Sequence, residues 1–541
     1  MNFRMRPGST PVVTAAEQKR IDNRAFAGGV PERSLMESAG RSAADYILRK
    51  VVETLPTKTF AVIAGSGGNG GDAVVVARLL FEAGYTVETY LAVPPENMSK
   101  AAAFHARELI GRTPGNVHRL ADSPAELRVM LDPELRSAGC IVDGLFGSGT
   151  SRPACGRFAA IIDAVNRSPG KLISLDLPSG IRADSGVLDG PAVVADETVA
   201  MHFLKPAHVL YPARQRCGRI TVIEVAYPEQ VAADVRPIAV VPGLKTLRAQ
   251  LPERPATGHK GRFGRVLVLA GSRGMTGAAI LCCRAALRAG AGTVTLACPA
   301  SLEPVFETAL PEVITAAVPD RDGTLAGVDT PRFRDLLDTA DAMVVGPGLS
   351  RHPAVTPIVE RLVAEVPVPL VLDADGLWPF RGRPERIARA EGERILTPHP
   401  GEMARLLDLP IEEIEDARWE IARETANISH ATVVFKGVPT VISSPADAPP
   451  RLTMVGNHGL ASGGSGDVLT GLIAGLAAQK IPPRDAACLG AYLHAACADT
   501  YAETRSARSL LPSDVVEMLP HVLYSLEHGL PSLSNPPRVP G

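Results

Sequence analysis

Apolar residues in the first fifty positions recur every three or four places, the period of a helix with one buried face. Thr14 stands before the first such stretch with Glu17 three places on, the spacing of a capping box, and PERSLMESAGRSAADYILRKVVETL continues the pattern as a second amphipathic helix. The period then changes. Thr59 to Ala64 is a short unbroken apolar run and reads as a strand, SGGNGG as a loop, Asp72 to Ala83 as a helix with Gly84 its stop, and Tyr85 to Val93 as a strand again. That succession is a β-α-β unit, which requires a right-handed crossover and a parallel sheet. Four more strands begin at Cys140, Lys171, Glu197 and Arg219 and alternate with helical stretches, so the region predicts one doubly wound α/β domain.

Residues 226–259 are rich in Pro, Val and Ala and only weakly periodic, which places a boundary near residue 240 and divides the chain into domains 1–238 and 239–541. Beyond it GRVLVLAGSRGMTGAAILCCRAALRAGAGTVTLACP repeats strand, glycine loop, helix and strand, and further strands are expected in DAMVVGPG, PLVLDADG, RILTPHPG and TVVFKG. A second α/β domain follows. The halves open alike but do not align further, so they share an architecture without being an internal repeat.

A chain of 541 residues exceeds what one core organises, in keeping with two domains. Apolar residues make up 45% and aromatics only 4%, so the cores must be built from Ala, Val, Leu and Ile. A net charge of -2 excludes the basic face that nucleic acid requires and leaves small molecules as the expected partners. No run approaches the ~18 to 20 apolar residues of a membrane span, and the N-terminus lacks a signal-peptide pattern, so a soluble, cytoplasmic protein is expected. The eight cysteines have neither metal spacing nor a disulfide-dense pattern and are expected to be reduced core residues.

Gly65, Gly67 and Gly70 satisfy G-x-G-x-x-G between a strand and a helix, which either brings backbone amides to a pyrophosphate or is only a tight turn. Asn69 and Asp72 lie in that stretch, and two acid-bearing strand ends follow, Asp143 in VDGLFGSGT and Asp176 in LDLPSG. In an open parallel sheet such ends face the ligand crevice, so these groups either converge on a site or cap turns. GSGGNGGD, VDGLFGSG and DLPSG, with LMESAGR before them, resemble the motifs of the NAD(P)H-hydrate epimerases over residues 12–225. The resemblance implies a Rossmann-like domain with substrate held by Gly68, Asn69, Gly70, Gly71 and Asp72, and by Gly147, Ser148, Gly149, Thr150, Ser151, Arg152, Pro153 and Asp176. It also implies a potassium ion (K+) on oxygens of Asn69, Asp143 and Ser179, a donor set suited to a hard cation. Gly68 stands where the family pattern has Asn, which removes a side-chain donor, and HFLKPAH departs from the family's usual motif after the last strands. The implied substrate is a nicotinamide hydrated at C6, whose epimers exchange by loss and return of the C6 hydroxyl. A carboxylate near C6 would move the proton, and Asp176 is the candidate.

In GNHGLASGGSGDVLTGLIAGLAAQ, from Gly456, a glycine-rich loop runs into a helix expected to begin at Asp467. Loop amides and helix dipole make an anion hole in which a phosphoryl group in transfer would be stabilised, while Asp467 takes the proton of an attacking hydroxyl. The same Asp would also serve as a plain N-cap, although capping does not require Gly463, Gly464 and Gly466 before it. A helix N-terminus lowers an Asp pKa and weakens it as a base, whereas phosphate charge acts the other way. This stretch resembles the signature of the ADP/ATP-dependent NAD(P)H-hydrate dehydratases, which are ribokinase-like, with His458 and Leu460 its departures. KGRFGRVLVLAGS, TGAA, VVGPGL, VLDADGL, LTPHPGEMARLL and VVFKG stand in family order across roughly residues 250–520.

The resemblance implies an adenine nucleotide on Asn457, His458, Gly459, Leu460, Ala461, Ser462, Gly463, Gly464, Ser465 and Gly466, and on Lys436, Gly437, Val438, Pro439 and Thr440. The hydrate would meet Ala278, Gly348, His399 and Asp467. Read alone, His399 is equally a satisfied loop histidine and Lys436 a solvated strand end; Asp373 and Asp375 form either a Mg2+ or water network or a turn. Together the two resemblances imply a fused repair enzyme, expected as a homo-oligomer. It would epimerise the hydrates of NADH and NADPH (NADHX and NADPHX) and dehydrate the S form with ADP or ATP and Mg2+, giving NAD(P)H, AMP or ADP, and phosphate. Two other readings compete: a small-alcohol kinase of ribokinase type with an N-terminal ligand-sensing module, and a scaffold whose first domain only binds.

Overall fold

A computed structural model describes residues 3–4, 8–150, 152–445 and 448–530. The chain divides into two compact units, the first chiefly of residues 10–239 and the second of residues 240 onward. All eight cysteines are free; seven are buried as expected and Cys155 is exposed. Among the described residues no helix is long and apolar enough to cross a membrane.

The first unit is built on a parallel sheet of eight strands, β1 (Phe3–Arg4), β2 (Thr59–Ala64), β3 (Thr86–Leu91), β4 (Val117–Arg119), β5 (Cys140–Gly144), β6 (Lys171–Leu175), β7 (Glu197–Met201) and β8 (Arg219–Ile223), in the order β1-β8-β7-β6-β5-β2-β3-β4. Strand alternation sends Phe60, Val62 and Ala64 into one core and Ala61 and Ile63 into another, so the strands read as unbroken apolar runs. From β2 the chain winds outward through β3 and β4, and from β5 it winds the opposite way. The direction therefore reverses between β2 and β5, and at such a point the loops beyond the strand ends part to leave a crevice.

Helices α1 (Ala15–Ala27), α2 (Glu32–Lys50) and α3 (Gly68–Glu82) border that crevice. Thr14 caps α1 by accepting from the Glu17 amide at 3.1 Å, but the Glu17 carboxylate turns to Arg20, so only half of the expected capping box forms. Helix α3 begins at Gly68, four residues before the expected start, because its first turn nests against the strand it leaves: a Cβ at Gly70 would lie 2.0 Å from the Gly65 carbonyl oxygen. Asn69 thus belongs to the helix's first turn, where backbone amides are free, and Asp72 follows one turn on.

The second unit holds β9 (Ala239–Val241), β10 (Arg265–Leu269), β11 (Thr293–Pro299), β12 (Ile314–Val318), β13 (Ala342–Val345), β14 (Leu370–Leu372), β15 (Arg394–Leu396), β16 (Thr432–Phe435), β17 (Thr440–Ser443) and β18 (Arg451–Thr453) in the order β12-β11-β10-β13-β14-β15-β16-β17-β18-β9. Strands β12 through β16 are parallel and β16, β17 and β18 pair antiparallel. The winding reverses between β10 and β13, and their loops are tied by Gly271 N to Pro347 O at 2.9 Å and Ser272 Oγ to Gly348 O at 2.8 Å. Helix α4 (Thr276–Arg288) follows β10, and helix α5 (Ser465–Ala477) lies close against it: a Cβ at Gly471 would sit 2.1 Å from the Cys282 carbonyl oxygen.

Candidate functional site

In the first unit the crevice is a cleft of about 1040 Å³, room for a ligand of cofactor size. Gly68, Asn69, Gly70, Asp72, Gly147, Ser148, Gly149, Thr150 and Asp176 line it. Gly71 is buried beneath, Arg152 and Pro153 are exposed and do not line it, and Ser151 lies outside the described residues. Under the floor of the cleft the Asp143 carboxylate accepts four hydrogen bonds, from Ser174 Oγ (2.8 Å), Ser179 N (2.9 Å), Ser179 Oγ (2.5 Å) and Leu145 N (3.2 Å). Asn69 Nδ2 donates to the carbonyl oxygens of Phe146 (2.7 Å) and Leu175 (3.0 Å), and Asn69 Oδ1 is buried with no hydrogen-bond partner.

Asp176 is held on every side. Its backbone adopts φ 58°, its amide donates to Val199 O, and its carbonyl accepts from His208 Nε2 at 2.7 Å. His208 Nδ1 accepts from the Lys205 amide at 2.9 Å, which leaves the ring proton on Nε2. Burial pushes the His208 pKa down to about 3, so the ring is neutral. One carboxylate oxygen of Asp176 accepts from Lys205 Nζ at 2.6 Å and the other from Ser148 N at 3.0 Å. Burial opposes the Asp176 charge, but Lys205, only 1% exposed, more than offsets it and holds the carboxyl below its ordinary pKa. Lys205 and His208 lie in HFLKPAH, the segment that departs from the family's usual motif. A lysine just past a buried strand was the signal available there.

In the second unit α5 begins at Ser465, two residues before the expected start, with Gly464 as N-cap at φ 98°. Asp467 is therefore the third residue of the helix and not its cap; the Ser465 amide donates to Ser462 O at 3.2 Å, and the Gly466 and Asp467 amides stay open to a ligand. The loop before it is braced from behind. Asn457 Oδ1 accepts from Gly459 N at 3.0 Å, and Asp499 accepts from Asn457 Nδ2 (3.0 Å) and Gly456 N (2.9 Å). Ser465 Oγ meets Nε2 of His494 at 3.0 Å, and burial takes the His494 pKa down to about 4. His458 and Ala461 are exposed, whereas Gly459 is buried.

Lys436 Nζ reaches Asp373 Oδ1 at 2.9 Å and Glu402 Oε2 at 3.6 Å, and Thr470 Oγ1 donates to the other Asp373 oxygen at 2.8 Å. The ammonium lies beside the glycine loop, since a Cβ at Gly466 would be 3.1 Å from it. Lys436 is thus a paired, mostly buried group and not a solvated strand end. Burial, then the Asp373 charge, pushes Asp467 up to about 7 against the pull of Lys436. Asp375 accepts from Ser350 N and Arg351 Nε, each at 2.9 Å, and ties down a loop. Neither Asp373 nor Asp375 is left as a free metal ligand, and among the described residues no cluster of three His, Cys, Asp or Glu could hold a metal ion. His399 caps a helix, its Nδ1 accepting from Gly401 N and Glu402 N, while its ring stays half exposed. Ala278 and Gly348 are neighbours: a Cβ at Gly348 would be 3.2 Å from that of Ala278. Arg418, unmarked in the sequence, sends one guanidinium nitrogen to the carbonyls of Lys436 (3.0 Å) and Pro439 (3.2 Å) and so shapes the 436–440 turn.

The family described as NAD(P)H-hydrate dehydratase matches residues 266–521, and the YjeF-related protein N-terminus matches residues 32–207. The bifunctional NAD(P)H-hydrate repair enzyme Nnr of Moorella thermoacetica is 38% identical over 518 residues, 95% of this chain and 97% of that one. Its namesake from Thermofilum pendens is 34% identical over 534 residues, 96% and 98% of the two chains. A crystal structure of the ADP/ATP-dependent NAD(P)H-hydrate dehydratase of Bacillus subtilis, co-crystallised with ATP/Mg2+, is 35% identical with a TM-score of 0.45, covering 52% of this chain and 97% of its own. With a Rossmann-like unit followed by a ribokinase-like one, each with its own winding reversal, the chain belongs to the family of bifunctional NAD(P)H-hydrate repair enzymes, epimerase and dehydratase in one polypeptide.

Proposed function

We propose that residues 1–238 interconvert the R and S hydrates of NADH and NADPH at the cleft of the first unit, and that residues 239–541 dehydrate the S form with ADP or ATP. The observation that carries the second half is the pairing of an open helix N-terminus with a carboxyl poised near neutrality, Asp467, beside the Lys436 ammonium. Loop 456–466 and turn 436–440 hold the adenine nucleotide, and Ala278, Gly348 and His399 hold the hydrate. Asp467 takes the C6 hydroxyl proton as that oxygen attacks the terminal phosphorus, and the nucleotide leaves as AMP or ADP. The ring nitrogen lone pair then expels phosphate to leave a ring cation, and loss of a proton from C5 restores the dihydronicotinamide. Mg2+ enters with the nucleotide's own phosphates, because the nearby carboxylates are committed to Lys436, Thr470, Ser350 and Arg351.

In the first unit Asp176 is the anion that faces the ring cation formed when the C6 hydroxyl leaves. Asn69, Asp143 and Ser179 fit a potassium ion, with the orphaned Asn69 Oδ1 as the supporting observation; when bound, the ion supplies positive charge beneath the cleft floor. The free cysteines suit the reducing cytoplasm. The test is recovery of dihydronicotinamide absorbance from mixed NADH-hydrate epimers with ADP or ATP. Wild type is expected to recover all of it and Asp467→Asn none. A stable phosphorylated product in place of NADH would overturn this reading in favour of a small-alcohol kinase.

A further inference from the structure

We propose that Asp72 is the acid and base of epimerisation, giving its carboxyl proton to the departing C6 hydroxyl and taking one back from the returning water, while Asp176 and Lys205 act as a fixed ion pair. This rests on the epimerase reading above and assigns the proton within it.

The geometry separates two kinds of carboxyl. Asp176 has both oxygens occupied, by Lys205 Nζ and Ser148 N, and Asp143 has four donors. Asp22 on α1 accepts from Gln18 Nε2 at 3.0 Å and from the Tyr227 hydroxyl at 2.6 Å. Asp72, one turn into α3, lines the same cleft, and among the described residues its carboxyl accepts no hydrogen bond. Its two oxygens are free for a ligand. The charged groups that face it are Asp22 from α1, Asp176 beyond β6 and Lys205 beyond β7. Burial, followed by the Asp176 and Asp22 charges, lifts the Asp72 carboxyl well above its ordinary range, and Lys205 only partly counters them. Burial and like charge thus favour the protonated form of Asp72, whereas Lys205 favours the charged form of Asp176.

The step balances. The ring nitrogen lone pair forms a π bond to C6 as the C6–O bond breaks, and the leaving oxygen takes the Asp72 proton and departs as water. A planar ring cation and an Asp72 carboxylate remain, with the Asp176 carboxylate alongside. Water adds to C6 of the planar ring, which presents either face, and its extra proton returns to Asp72. Nothing is oxidised or reduced, and no co-reactant is consumed.

The experiment follows exchange of purified R and S NADH hydrate on the full chain without nucleotide, by chromatography, after subtraction of the uncatalysed rate. Asp72→Asn, close in volume and checked against the wild-type unfolding transition, is expected to lower kcat about 10²- to 10⁴-fold with KM little changed. Formate is expected to restore turnover to Asp72→Ala in proportion to its concentration, and not to Asp176→Ala or Lys205→Met. A kcat for Asp72→Asn within about threefold of wild type, or formate rescue of Asp176→Ala in place of Asp72→Ala, overturns the assignment. Absence of exchange by wild type overturns the epimerase reading itself and this assignment with it, an outcome distinct from loss confined to the variant.

Discussion

Asp467 sits where two influences oppose. The Lys436 charge favours the carboxylate, while burial and the neighbouring Asp373 charge disfavour it, and the balance falls at about 7. A base works only when unprotonated, so kcat for dehydration is expected to rise with pH through an inflection near 7 and to be lost below it. Lys436→Met removes the charge that lowers the pKa and moves the inflection up; Asp373→Asn removes one that raises it and moves the inflection down. Each unit of upward movement lowers kcat on the acid limb about tenfold. A kcat profile with the same inflection in both variants counts against Asp467 as the base. Gly68 invites a second substitution. It lines the cleft, and a Cβ there would meet nothing within 4 Å, so the donor missing relative to the family pattern is a matter of chemistry and not of space. Gly68→Asn is expected to leave stability within about 0.5 kcal/mol and to lower KM for the hydrate in the epimerase assay. An unchanged KM means that this position does not touch substrate.

Both glycine loops were legible in the sequence, and both helices behind them were expected too late, at Asp72 and Asp467 in place of Gly68 and Ser465. The cause is common to the two. Glycine weakens a helix in isolation, so a run of it reads as loop. Here tertiary packing overrides that preference, because the turn lies too close to neighbouring backbone to admit a Cβ at Gly70. The elements that brace the sites were less legible. Lys205, His208, Arg418 and Asp499 act through backbone carbonyls, amides or another side chain, and a contact of that kind leaves no spacing to recognise. Arg418 gives the clearest consequence. It is buried, stacks 4.0 Å over Phe435, and holds the turn between β16 and β17. Arg418→Met keeps much of the volume but strands the Lys436 and Pro439 carbonyls, at a cost of about 2 to 4 kcal/mol. The expected result is a lower unfolding temperature and a KM for nucleotide raised more than that for hydrate. A KM for hydrate raised equally would place the effect outside the turn.

Each unit has a winding reversal of its own, and the chemistry divides in the same way: epimer exchange needs no nucleotide, and dehydration accepts one epimer. Because the groups assigned to each reaction come from different stretches of chain, a lesion in one should leave the other running. In Asp467→Asn, R and S hydrate are expected to equilibrate at the wild-type rate while no NAD(P)H appears. In Asp176→Asn, the S fraction is expected to disappear at the wild-type rate, after which recovery slows to the uncatalysed exchange of the R form. The progress curve then has two phases, with the fast amplitude equal to the share of S hydrate in the starting mixture. With wild type the same curve is a single phase wherever exchange outpaces dehydration. Stopped samples resolved into epimers by chromatography, with absorbance followed in parallel, decide the matter. Exchange slowed more than about threefold by Asp467→Asn would mean that the two sites are coupled, since substitutions at distant, independent sites act additively.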